Sequence, residues 1–296
     1  MPEKVVLGGP SRGEARVARE PQAAGTAIPP KLCNLPPLNS IANQVLALSA
    51  DEEIQFQRLA AVIEADPAFA AEVLFLANSP LFGFPSKMHV LHHAVTVLGL
   101  DRIRALAVTV AMRAYLGQGS ALIRQCWRHS CACAIIAEET AKAFGIPGDR
   151  AYTVALMHDI GRLGLLKSYP REVAPVLAQE YAEPRDVLQA ERGAVNVDHG
   201  LAGAWLVKTW AFPSSFSEIC EHHHDALDSG DPALLQSVKL ACRAANALGY
   251  SAVRYQAVAS YPDLLAGLPG ATRSQPFPGE EELRENVEER LSAFEE

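Results

Sequence analysis

The chain has 296 residues, 49% of them hydrophobic and 20% charged, enough for a real core in one large or two smaller domains. No apolar run reaches the length of a membrane span, and no basic-then-apolar leader marks secretion, so a cytoplasmic protein is expected. The net charge is −8, but −6 of it lies in the tail 280–296. The nearly neutral body lacks the basic surface that nucleic-acid phosphates require, so no direct nucleic-acid partner is expected.

In chain order, residues 1–30 mix Gly, Pro, Arg and Glu without periodicity and read as a disordered leader. From Leu35-Pro36-Pro37 onward helix signals are dense. Leu38, Ile41, Val45 and Leu48 form a helical stripe. Asp51 is expected to cap a helix carrying Ile54, Leu59 and Val62. Asp66-Pro67 caps and opens another, which stops at Asn78-Ser79-Pro80. A hydrophobic loop, Leu81-Phe82-Gly83-Phe84-Pro85, follows. Val90–Leu98 is helical and ends at Gly99, and Asp101 caps a helix to about Leu116. Gly117-Gln118-Gly119 marks a lobe boundary.

A long helix, Ala121–Phe144, opens the second lobe and ends at Gly145-Ile146-Pro147. Asp149 is expected to cap a helix running through Ile160. Shorter helices follow near 170–182 and 184–193. Asp198 caps a helix from His199 to Trp210, Pro213 opens one to about His224, and Pro232 opens one to Leu248. Residues 251–279 read as a linker. In the acidic tail 280–296, Leu283, Val287, Leu291 and Phe294 share one helix face. That face either docks on its own domain or meets a partner.

The six Cys show no C-x-x-C spacing. Cys131 and Cys133 point about 200° apart on a helix and cannot share one metal, so free, partly buried thiols are expected. His89, His92 and His93 read as a helix surface. No P-loop, Rossmann glycine pattern or G-x-S-x-G is present, which argues against a nucleotide cofactor and a serine nucleophile.

The sharpest local feature is Met157-His158-Asp159-Ile160-Gly161-Arg162. Imidazole suits transition metals and a carboxylate can bridge two ions, but His-Asp alone is a weak signal. Its setting is stronger. His129, His199 and the run His222-His223-His224 fall on three other helices, which a bundle could focus into one pocket. Each group also has a plainer explanation: a satisfied core imidazole, a buried His–Asp hydrogen bond, or a solvated helix end.

The order His, then His-Asp-Ile-Gly-basic, then His, then His-His resembles the HD phosphohydrolase superfamily. Leu35-Pro36-Pro37-Leu38, Leu76-Ala77-Asn78-Ser79 and Ala94–Leu100 resemble the extra N-terminal lobe of the HDOD family, the HD-related output domains of bacterial signalling proteins. Trp127-Arg128-His129-Ser130 and Trp210-Ala211-Phe212-Pro213 fit its second lobe. The resemblance implies an all-α HD-superfamily bundle, with an added N-terminal helical lobe at 32–118 and the HD-like lobe at 119–250. It implies metal ligands at His129, His158 and Asp159, with His199, His222 and His223 as extra ligands for one or two divalent ions. Arg162 is the candidate phosphate contact.

The superfamily's last ligand, a late Asp, has no counterpart here. Cys242 or Arg243 takes its place, depending on register. The Gly-Tyr-Pro segment of the cyclic-dinucleotide phosphodiesterases is also missing. The resemblance therefore implies a regulatory module with a degenerate metal site, acting through a signalling protein partner or a small ligand. No sensor or receiver segment is recognisable, so input is expected from a separate partner; a homodimer is open. The alternative is a metal-dependent phosphohydrolase or phosphodiesterase acting on a nucleotide.

Overall fold

The computed structural model describes residues 28–38, 40–48, 56–79, 87–117, 119–268 and 276–292. The leader up to residue 27, the cap at Asp51, the loop 81–85 and Phe294 lie outside the described residues.

The described chain is helical apart from one pair of two-residue strands. Short α1 (Pro30–Cys33) is followed by α2 (Ser40–Leu48), α3 (Phe56–Glu64), α4 (Pro67–Ala77) and α5 (Leu91–Leu116). Helices α2 to α5 pack on one another, and α5 continues onto α7 (Gly148–Met157) of the second group. Asp66 caps α4 as expected, accepting from the Ala68 and Phe69 amides at 3.0 and 3.1 Å. Within α5, Gly99 has φ +76°, a value that breaks the helix where the sequence placed its end. His89, His92 and His93 are exposed.

The second group is built around α6 (Ala121–Thr140), prolonged by a 3₁₀ turn to Phe144. After α7 come α8 (Ile160–Ser168), α9 (Pro170–Leu177), α10 (Pro184–Val195), α11 (His199–Thr209), α12 (Ser214–His222) and α13 (Ala233–Ala247). α6 packs against α7 and α13, while α11 packs against α8 and α12. These contacts bring the ends of α7, α11 and α12 to the middle of α6. The α1 segment reaches over to α8, where the Lys31 amide donates to the Tyr169 hydroxyl at 3.0 Å.

Three expectations are corrected. Asp149 lies in the first turn of α7 rather than at its cap, which is Pro147. The α7 helix ends at Met157, so His158 and Asp159 form a break between α7 and α8 instead of lying within one helix. Residues 251–268 are not plain linker. Strand β2 (Arg254–Tyr255) pairs in parallel with β1 (Glu180–Tyr181), and α14 (Tyr261–Ala266) packs on α13.

The tail helix α15 (Glu280–Ser292) docks on α6. Leu283, Val287 and Leu291 are buried there. Arg290 reaches Glu138 at 2.6 Å and Glu139 at 3.2 Å, and Tyr250 donates to Glu288 at 2.7 Å. A charge at Val287 would bury an unpaired carboxylate in this seam. Val287→Asp is expected to cost about 2–3 kcal/mol in chemical denaturation and to expose α15 to limited proteolysis. Unchanged stability and unchanged cleavage would show that the tail is not held there.

Candidate metal centre

The break at His158-Asp159 lets both side chains face the same interior point. His158 keeps helical dihedrals, whereas Asp159 moves to φ −101°, ψ 16° and starts α8. Asp159 is fully buried and stands at the centre. Its Oδ2 lies 3.9 Å from His129 Nε2 and 3.8 Å from His158 Nε2. Its Oδ1 lies 3.4 Å from both His199 Nε2 and His223 Nε2. Five residues singled out in the sequence thus converge from α6, the α7–α8 break, α11 and the end of α12.

Two further assignments change. His222 turns outward and meets Asp225 at 2.9 Å, so it does not join the other imidazoles. His224 takes the inward place, with Nε2 2.9 Å from His199 Nε2. The helix rotation that buries His223 fixes this choice, and the run His222–His224 alone could not reveal it.

Arg162 is not a free phosphate contact. It is 1% exposed and lies inside the cluster. Its Nη1 donates to Asp159 Oδ2 at 2.7 Å, and its Nη2 lies 3.1 Å from His199 Nε2 and 3.4 Å from His224 Nε2. Its Nε is 3.8 Å from Glu191 Oε1. Glu191, a buried carboxylate on α10 that no motif marks, accepts from the His199 amide at 2.8 Å and from His199 Nδ1–H at 2.6 Å.

The electrostatics follow from these neighbours. Burial alone would raise the Asp159 carboxyl, but the Arg162 guanidinium and the imidazoles of His158 and His199 outweigh it and hold the group well below the usual carboxylate range. Burial, reinforced by the neighbouring His223 and His199, pushes His224 well below its ordinary value, so it is a neutral imidazole.

The imidazole tautomers are set by backbone carbonyls. His129 Nδ1–H donates to the Tyr250 carbonyl at 2.7 Å, and His158 Nδ1–H to that of Ala155 at 2.6 Å. His223 Nδ1–H donates to that of Cys220 at 2.9 Å. Each Nε2 thereby faces inward, the usual way in which a ligating imidazole is oriented. His158 Nε2 and His223 Nε2 are buried without a hydrogen-bond partner.

Cys242, rather than Arg243, occupies the late-ligand position. Its Sγ lies 3.7 Å from His129 Nε2. Arg243 instead donates to the carbonyls of Lys239 and Asp225, at 2.9 and 2.7 Å. Cys133, one turn beyond His129 on α6, brings a second sulfur to 3.5 Å from the same Nε2. The sequence missed Cys133, although its i, i+4 spacing from His129 was a usable signal. A hydrogen bond from Cys133, which outweighs burial, together with the His129 imidazole holds the Cys242 thiol well below its ordinary value. Burial raises that of Cys133.

The donors fit a two-metal hydrolytic centre poorly. Such a centre needs anionic ligands for both ions and open coordination positions. Here a guanidinium already bonds the Asp159 carboxylate, a thiol replaces the late carboxylate, and His129, His158, Asp159, His199 and His223 are each at most 2% exposed.

A family model of the HDOD domain matches residues 35–226. An uncharacterised protein of Treponema pallidum is 26% identical over 207 residues, covering 67% of this chain and 39% of that protein. This chain therefore spans about two fifths of that relative's length. An HDOD domain protein of unknown function from Geobacter sulfurreducens superposes with a TM-score of 0.70 at 23% identity, over 88% of this chain and 93% of its own. A presumed phosphohydrolase from Shewanella amazonensis gives 0.64 at 21% identity, over 89% and 94%. A presumed signal transduction protein from Marinobacter aquaeolei gives 0.63 at 20%, over 88% and 59%. These structures share the helical fold; the match to the family model extends over most of the sequence and includes the His-Asp segment. On that ground the chain belongs to the HDOD-domain family.

Proposed function

We propose that this chain is a regulatory module of a bacterial, cytoplasmic signalling system, working through contact with a signalling protein or a small ligand rather than by hydrolysis. The observation that carries this reading is the Arg162 guanidinium, buried in the cluster and bonded to Asp159 at 2.7 Å. It supplies internally the positive charge that a catalytic cation would bring, and its guanidinium cannot be deprotonated to make way for one. The burial of the cluster adds support, because Asp159 is 0% exposed. No helix among the described residues is long and apolar enough to cross a membrane.

The second reading, a metal-dependent phosphohydrolase acting on a nucleotide, draws on the convergence of His129, His158, Asp159, His199 and His223 around one point. The two separate in an assay of the full chain with bis-p-nitrophenyl phosphate, nucleotides and cyclic dinucleotides, under Mn²⁺, Mg²⁺, Fe²⁺ and Zn²⁺ in turn. The regulatory reading expects turnover no greater than that of Asp159→Asn. Metal-dependent turnover that disappears in Asp159→Asn would replace it with the hydrolase.

A further inference from the structure

Cys133 and Cys242 play no part in the proposed regulatory reading, yet with His129 and His158 they form a compact set of four ligand-capable side chains. One atom from each lies within 4.8 Å of every other. All four residues are buried, with exposures of 0–3%. They come from three places: His129 and Cys133 one turn apart on α6, His158 at the α7–α8 break, and Cys242 on α13.

The spacing suits one small ion. Bonds of about 2.0–2.3 Å in a tetrahedral zinc site place neighbouring ligand atoms about 3.3–3.8 Å apart. His129 Nε2 is 3.5 Å from Cys133 Sγ and 3.7 Å from Cys242 Sγ. The second shell is in place, because carbonyls of Tyr250 and Ala155 hold the Nδ1 protons of both imidazoles. An independent sign is His158 Nε2, fully buried and without a hydrogen-bond partner. A ring nitrogen buried in that state is destabilising, and a cation bound there would remove the cost.

The other set of ligand-capable groups, Asp159, His199, His223 and His224, already holds the Arg162 guanidinium. The two sets adjoin, with Asp159 Oδ2 3.9 Å from His129 Nε2 and 3.8 Å from His158 Nε2, but Asp159 is already bonded by Arg162. One set carries a carboxylate, imidazoles and a fixed organic cation; the other carries two imidazoles and two sulfurs with no cation of its own among the described residues. Sulfur ligands select soft, thiophilic ions over Mg²⁺ or Mn²⁺.

We propose that His129, Cys133, His158 and Cys242 form a closed, structural Cys₂His₂ site for a single zinc-like ion. With four protein ligands it leaves no coordination position for a substrate water, which separates it from a hydrolytic centre. Each metal–sulfur bond forms as the thiol proton passes to solvent, so loading releases protons. Because the site is sealed, the ion enters while the chain folds.

The test uses the full, untagged chain, refolded with one equivalent of Co²⁺. Expected are tetrahedral visible bands and a near-ultraviolet sulfur-to-cobalt charge-transfer band, both displaced by Zn²⁺. Cys133→Ser and Cys242→Ser should each abolish the charge-transfer band or cut it by about half, while Cys131→Ser should leave it unchanged. Should a serine variant fail to fold, X-ray absorption at the zinc edge of the wild-type chain counts the ligands directly, with two sulfurs and two nitrogens expected. The site is overturned by a wild-type chain that takes up no stoichiometric cobalt or zinc, or by bound metal without sulfur ligands. It is equally overturned if binding survives Cys242→Ser but is lost in His223→Ala. Neither result depends on the hydrolysis assay, so the failure of one reading is distinguishable from the failure of the other.

Discussion

Replacing Arg162 by Ala is expected to destabilise the chain by about 3–5 kcal/mol, because it leaves buried carboxylates without their counter-charge. Asp159 loses its hydrogen bond at 2.7 Å, and Glu191 loses a cation at 3.8 Å. Both carboxylates are 0% exposed, so water cannot replace the guanidinium without opening the bundle. Denaturant unfolding of the full chain measures the loss. A midpoint unchanged from wild type would show that the guanidinium is not the charge that holds the cluster together.

The pH dependence has a definite sign. The folded-state value of Asp159 lies below its ordinary value, so the carboxylate contributes stability that is fully present above roughly pH 4. That contribution is lost as pH falls through the depressed folded value. In Arg162→Ala the largest downward influence on Asp159 is gone and burial still raises it, so the acid-side loss of stability that Asp159 causes should shrink in denaturation measured against pH.

The second large effect is expected at Gly161. A methyl group built on this residue would lie 1.9 Å from the His199 carbonyl oxygen and 2.3 Å from the Gly203 amide nitrogen. Both are backbone atoms, so no side-chain rotation relieves the clash and α8 must move away from α11. Overpacking of this kind costs about 3 kcal/mol or more, corresponding to a Tm lower by roughly 6–12 °C for a chain of this size. The displacement would also carry Asp159 away from His199 Nε2, now 3.4 Å from it. Gly161→Ala should therefore lower Tm and perturb the imidazole signals of His199 and His223 in NMR spectra. Wild-type stability together with unchanged imidazole signals would mean that the helices tolerate greater separation than their contact implies. The glycine after His158-Asp159-Ile160 is thus a packing residue, which sets how closely two helices approach and hence where the His199 imidazole sits.

Much of the helical framework was legible locally. Asp66 and Asp198 cap their helices where the sequence placed them, because a side-chain oxygen two or three residues from an amide decides a helix start without distant help. The break at Gly99 is similarly local. The buried stripe Leu283, Val287 and Leu291 follows from helical spacing, but the surface that covers it does not. Its docking on α6 through Arg290 and Glu138 joins residues more than a hundred positions apart. Residues 251–268 misled for the same reason: local composition does not say whether irregular backbone packs against the body.

By itself, the sequence determined that the chain is helical and that it resembles the HDOD family, and only that resemblance implied a grouping of His129, His158 and Asp159. Only the tertiary structure decided that His224 faces inward in place of His222, that Cys242 rather than Arg243 fills the late position, and that Arg162 sits within the cluster. Those three outcomes depend on how each helix is rotated about its axis and how closely it approaches its neighbours. Rotation and approach are set by the packing of faces far apart in the chain, and local periodicity carries no information about them.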